Sequence, residues 1–264
     1  MATMSALQVE LEHDRDGVAG APLYAALTVR ATDPQLVLTV LPEVSPYSAM
    51  GAAGVTLARD GAEVFRSEPL LLSADEIESW SFALDRGEER RMLFDLSETL
   101  GTKRLAPASY TLTVRYAALD RIVESAPSVL VLRDPAPAHA AALARAAEER
   151  GKRSWGWWTH VMPAAGEAMA TFDPDDPLCF NRIVRALRAG GSGLAVIPAL
   201  RSLSGVLESE AAALIAEILR AAGDPAEYEA QRAFVLRRWP GLRWWIRAID
   251  EGGGTLYCAN VMRL

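Results

Sequence analysis

Residues 105–116 read Leu-Ala-Pro-Ala-Ser-Tyr-Thr-Leu-Thr-Val-Arg-Tyr, and no other stretch limits the fold as tightly. Tyr110, Leu112, Val114 and Tyr116 alternate with Thr111, Thr113 and Arg115. Successive side chains of a strand point to opposite faces, so this spacing predicts a strand with one buried and one wet side. Pro107 fixes the backbone where the chain turns into it. A strand apolar on one face needs a second layer to cover it.

The preceding hundred residues supply candidates for that layer. Leu7, Val9 and Leu11 alternate with Gln8, Glu10 and Glu12. Leu23, Ala25, Leu27 and Val29 alternate with Tyr24, Ala26, Thr28 and Arg30, and Leu36, Leu38 and Val40 continue the pattern. Asp60-Gly61 between Val55–Leu57 and Val64-Phe65 is a two-residue hairpin signal, since both turn positions favour positive φ. Trp80, Phe82 and Leu84 form another inward set, Met92, Phe94 and Leu96 a further one, and residues 122–132 close the series. About eight short strands without a long helix between them favour a sandwich over a parallel sheet.

With its proline-led tyrosine corner, segment 1–134 resembles the bacterial immunoglobulin-like and fibronectin-type domains. Ala108 stands where such domains commonly have glycine, and there is no cysteine pair. The resemblance implies an antiparallel immunoglobulin-like β-sandwich with a binding or spacing role, an inference from fold alone. The loop from Leu41 to Gly54 is either an irregular crossover or an end loop that presents Tyr47 to a partner.

Asp134-Pro135-Ala136-Pro137 marks a boundary, after which the periodicity becomes helical. Helices are expected over His139–Arg150, from Asp176-Pro177 through Ile183, Val184 and Leu187, and over about 206–222 with Gly223 as the stop. Asp224-Pro225-Ala226-Glu227 reads as a capping box that opens a helix running to Trp239. Residues 241–250 form a short further helix, and Thr255–Met262 a final strand. The expected whole is a multi-domain α+β chain, a sandwich over 1–134 and a tryptophan-rich α-helical domain over 135–264.

Charge is unevenly spread. Residues 1–134 carry 12 basic and 20 acidic side chains, and residues 135–264 carry 15 and 14. An acidic first half disfavours nucleic acid as its partner. No apolar run approaches the ~18 residues of a membrane span, and the N-terminal residues lack the pattern of a signal peptide. Two cysteines, Cys179 and Cys258, do not make a disulfide framework, so a soluble cytoplasmic protein is expected.

Six of the seven tryptophans lie in the second half, where they either cement a helical core or form a recognition surface. Trp155-Gly156-Trp157-Trp158-Thr159-His160 is the least regular of these segments. Trp155, Trp157, Trp158 and His160, with Tyr47, are therefore the candidate partner-binding residues. Cys179 and His160 are the only thiol and imidazole that suggest a nucleophile and its base, yet Cys179 sits between Leu178 and Phe180 on a predicted helix face, as a structural thiol would. Asp173, Asp175 and Asp176 lack the glycine and terminal glutamate of a calcium loop. Ser192 lacks the flanking glycine of a nucleophile elbow, and His13, Asp14 and Asp16 read as turn residues. Arg182, Arg185 and Arg188 share one helix face, more simply a solvated one.

No cofactor, metal site or catalytic set is expected. The leading expectation is a non-enzymatic cytoplasmic protein-interaction or adaptor protein. Its rivals are a hydrolase using Cys179 with His160 and a small-ligand sensor with an aromatic pocket at the domain joint.

Overall fold

The computed structural model describes residues 7–32, 53–69, 84–96, 105–118, 121–141, 143–144, 179–180, 183 and 193–251. The chain divides into two compact units, Met1–Asp134 and Pro135–Leu264.

The first unit is built of strands. β1 (Leu7–His13), β3 (Tyr24–Ala31) and β6 (Glu89–Asp95) form a three-stranded antiparallel sheet in the order β1-β3-β6. The second sheet runs β2 (Asp16–Val18), β9 (Ser128–Arg133), β7 (Ala108–Ala118), β4 (Ala53–Arg59), β5 (Ala62–Arg66), with β8 (Arg121–Glu124) also paired to β7. Leu7, Leu27 and Val29 of one sheet join Val55, Leu57, Leu112, Val114, Tyr116 and Leu130 of the other in a single apolar core.

The strand that anchors the sequence pattern behaves as its alternation requires. Tyr110, Leu112, Val114 and Tyr116 are buried, while Thr111 is exposed and Thr113 half-buried. The Tyr110 hydroxyl donates to the Ala106 carbonyl at 2.8 Å, closing the corner through which the chain enters β7. Asp60 and Gly61 both have positive φ, 53° and 78°, as the tight β4–β5 turn demands.

Residues 122–132, which close the series, fall in two strands, β8 and β9, and one expectation needs correction. Ser125 breaks the run: its amide donates to the Val114 carbonyl, its hydroxyl accepts from the Val114 amide, and Pro127 follows. Of the expected turn residues His13, Asp14 and Asp16, His13 ends β1 and Asp16 lies in β2, which pairs with β9 in parallel, so the strands are not all antiparallel. The expected strand at 36–40 and the inward residues Trp80 and Phe82 lie outside the described residues.

The second unit is helical where it is described. Residues 137–141 are helical, as are Cys179, Phe180 and Ile183, the last three buried. A 3-10 turn at Gly193–Val196 leads into α1 (Ile197–Ser202), then α2 (Leu207–Ala222), α3 (Pro225–Arg238), a second 3-10 turn at Pro240–Leu242, and α4 (Arg243–Asp250). α2 is the central element. Its residues from Ser209 to Ala216 are all buried, and α1, α3 and α4 pack against it. Gly193 is required by close packing, since a Cβ there would meet Ile218 Cγ2 at 2.9 Å.

Gly223 ends α2 in the left-handed conformation, with φ of 75°, and the Asp224 amide donates back to Leu219 at 3.4 Å. Asp224 then caps α3 by accepting from the Glu227 amide at 3.0 Å. The reciprocal half of the predicted capping box is replaced, because Leu219 takes the Asp224 N–H. α1 was not expected, being a short helix led by Pro198 beside a glycine-rich run. The predicted strand at Thr255–Met262 lies outside the described residues.

Candidate functional site

Residues 230–249 contain five arginines and three tryptophans and no acidic residue. The fold makes this run a corner. α3 buries Tyr228 and Val235 and leaves Phe234 39% exposed. Trp239 breaks the helix with φ of −134°, while its amide still donates to Val235 at 2.8 Å. Pro240 cannot continue the helix, and the Leu242 amide donates to the Trp239 carbonyl at 3.0 Å, so the chain turns tightly into α4. α4 then buries Trp245, Ile246 and Ile249 and exposes Arg243 and Arg247, one turn apart.

At this corner the half-buried Trp239 ring meets Phe234 edge to face, with centroids 5.6 Å apart. The Arg238 guanidinium lies 5.6 Å from the Trp239 centroid, within reach of a cation–π contact. Arg237, Arg238, Arg243 and Arg247 are all exposed. Among the described residues, none of these four is ion-paired.

Arg232, on the same helix as the first two, is different. It pairs with Asp250 at 3.1 Å and approaches Glu229 at 3.8 Å. Asp250 also accepts from the Tyr228 hydroxyl at 2.5 Å, tying α3 to the end of α4. Burial works to raise the Asp250 carboxyl, but the hydrogen bonds from Tyr228 and Arg232 outweigh it and hold the group below its ordinary value. Burial first, and the bond to Asp250 second, push the Tyr228 phenol up to about 12. The corner thus has a locked polar clasp behind it and, in front, positive charge that no described residue pairs. Such a surface can attract carboxylates by Coulomb forces while Phe234 and Trp239 offer apolar area.

The sequence-predicted contact residues Tyr47, Trp155, Trp157, Trp158 and His160 lie outside the described residues, as do Asp173, Asp175, Asp176, Arg182, Arg185, Arg188 and Ser192. Cys179 is a buried thiol, 2% exposed. Of the described tryptophans, Trp245 is 2% exposed and belongs to the core, while Trp244 stacks on it at 5.9 Å and is half-buried. The arginine–aromatic corner was not singled out from sequence, although its signal, an acid-free run rich in arginine and tryptophan, is plain there. A buried carboxylate was also missed: Glu210 is 1% exposed within α2, 2.5 Å from the Ser209 hydroxyl.

Among the described residues, no group of histidine, cysteine and acidic side chains could hold a metal ion, and no helix is long and apolar enough to cross a membrane. No protein-family model and no curated protein matches this chain.

Proposed function

We propose that the chain is a non-enzymatic interaction protein of the adaptor kind, in which an immunoglobulin-like sandwich accompanies a helical unit that takes an acidic protein segment as partner. The observation that carries the reading is the corner at α3 and α4, with four exposed guanidiniums that make no ion pair among the described residues, beside a half-exposed Phe234–Trp239 pair. Arginine and tryptophan are the side chains that most often dominate protein interfaces, and charges that are already paired contribute less to capture than charges that are free. The acid-rich first unit leaves this corner as the described surface best suited to an acidic ligand. The small number of cysteines fits a cytoplasmic setting.

Three features support the immunoglobulin-like part. The order β9-β7-β4-β5 matches the sheet of such domains in which the last two strands neighbour the third and its hairpin partner. β1, β3 and β6 form the opposing sheet, and Tyr110 closes its hydrogen bond at the start of the penultimate long strand. No cysteine pair is needed for this arrangement, because Leu112, Val114 and Leu130 fill the space between the sheets.

The test uses the full chain and a fluorescent peptide alternating Glu with Phe. Binding should weaken steeply with added salt, and Arg238→Glu with Arg243→Glu should abolish it in a folded protein. Tighter binding to single-stranded DNA or to anionic vesicles than to the peptide would replace the protein partner with that ligand. Unchanged peptide binding in the double variant would refute the site.

A further inference from the structure

The strand unit brings together two residues that the sequence separates by 115 positions. His13 ends β1 and Ser128 begins β9, so the pair bridges the two sheets. His13 Nε2 lies 2.8 Å from Ser128 Oγ, and His13 Nδ1 lies 2.8 Å from the Asp14 carbonyl oxygen. A carbonyl oxygen only accepts, so Nδ1 must carry a proton. In the neutral ring Nε2 is then the acceptor, and the Ser128 hydroxyl donates to it. Among the described residues the hydroxyl has one other acceptor in reach, the Leu112 carbonyl at 3.3 Å, which is the longer contact. Both side chains are half-buried rather than sealed in the core.

A serine donating to an imidazole whose far nitrogen is fixed by a second acceptor is the relation of a nucleophile to its base. The orienting group here is a peptide carbonyl, which can set the tautomer but lends an imidazolium less support than a carboxylate would. We propose that Ser128 is an acyl-acceptor site, primed by His13, for small activated esters with a phenolic or thiol leaving group.

Ser128 Oγ attacks the ester carbonyl carbon while its proton passes to His13 Nε2. The bond from that carbon to the leaving oxygen or sulfur breaks, and His13 returns the proton to the leaving group. The products are one acyl-Ser128 ester and one free phenol or thiol, with no change in oxidation state. Weak support for the imidazolium makes the second step, attack by water, slow, so the acyl group stays on the protein as a modification. The proposal does not rest on the arginine corner.

The experiment treats the full chain with p-nitrophenyl acetate and maps acetylation by peptide mass spectrometry over time. Ser202 serves as internal control, because its exposed hydroxyl donates to the Ala199 carbonyl at 2.7 Å and, among the described residues, bonds no imidazole. Ser128 should acetylate about a hundredfold faster than Ser202, the low end of what a positioned base contributes. Ser128→Ala should remove that label alone, and His13→Gln should reduce labelling at Ser128 to the rate of Ser202. Labelling of Ser128 no faster than Ser202 in the unmodified protein would overturn the proposal whether or not either variant folds. So would full labelling of Ser128 in a folded His13→Gln protein.

Discussion

Arg115 and Arg243 present the same guanidinium in two different settings. Arg115 lies on the outer face of the six-stranded sheet, bonded to Glu68 and, at 3.1 Å, to Glu124, the residue opposite it on β8. Arg66 joins the same chain of charges through Glu68 at 2.7 Å, and hydrogen bonds from Arg66 and then Arg115 hold the Glu68 carboxyl below its ordinary value. Arg30 with Glu89, opposite it on the neighbouring strand, repeats the arrangement, and Arg91 with Glu12 and Arg133 with Asp16 are further ion pairs of the strand unit. Arg243 has no such partner, nor do Arg237, Arg238 and Arg247 among the described residues. The difference teaches that net charge does not locate an interaction surface. The strand unit is the more highly charged, yet strand pairing sets opposite charges across from one another and neutralises them locally. The helical unit is close to neutral, yet it gathers cations at one turn and leaves them without an ion pair among the described residues.

The largest effect that tests this contrast concerns how the strand unit is held. Tyr110→Ala should destabilise it by about 3–5 kcal/mol, the scale of losing a large core aromatic. Tyr110→Phe should cost about 1 kcal/mol, the net worth of the single bond to Ala106. Urea unfolding followed by far-ultraviolet circular dichroism measures both. Equal losses would mean that the ring contributes nothing and that Tyr110 acts only through its hydroxyl.

Sequence and structure agree most closely where short-range chemistry decides the outcome. The alternation around Tyr110, the Asp60-Gly61 turn, the Gly223 stop and the Asp224 cap were all legible because each depends on residues a few positions apart. The pairing of His13 with Ser128 was not, since it arises only when β1 and β9 meet across two sheets. β2 was hidden for a related reason: three residues, Asp-Gly-Val, carry no period of their own and are recruited by β9. Glu210 carries no local signal of burial and is nevertheless buried beside Ser209. The arginine corner was legible in principle, but attention to tryptophan drew the reading to Trp155–His160 and away from Arg237–Arg247.

The helical unit yields a middle-sized effect. Asp224→Ala should cost about 1 kcal/mol, because it removes the side-chain acceptor at the start of α3. Glu227→Ala should cost only a few tenths, because Glu227 contributes its backbone amide and not a returning carboxylate. Thermal unfolding of the two variants side by side checks this. A larger loss from Glu227→Ala would restore the full capping box.

A smaller effect appears at alkaline pH. The Tyr228 phenol ionises at about 12 in the folded protein and at 10.0 ordinarily. Its contribution to stability is therefore complete below pH 10 and is lost as the pH rises to about 12, because the unfolded chain releases its proton first. Tyr116, also raised by burial, adds its own loss to any variant that retains it. The difference between the unmodified chain and Tyr228→Phe isolates Tyr228: between pH 10 and 12 the variant should lose less stability. Parallel urea-midpoint curves for the two proteins would exclude the clasp with Asp250 as the cause.

The most direct measurement sets paired arginines against unpaired ones in the binding of the Glu–Phe peptide. One variant replaces Arg237, Arg238, Arg243 and Arg247 with Gln, and the other replaces Arg30, Arg66, Arg115 and Arg133 with Gln, so both lose the same formal charge. Fluorescence anisotropy should show binding lost in the first variant and retained within about twofold in the second, whose defect should be confined to stability. Equal weakening in the two would mean that overall charge, and not the corner formed by α3 and α4, attracts the peptide, and would contradict the account.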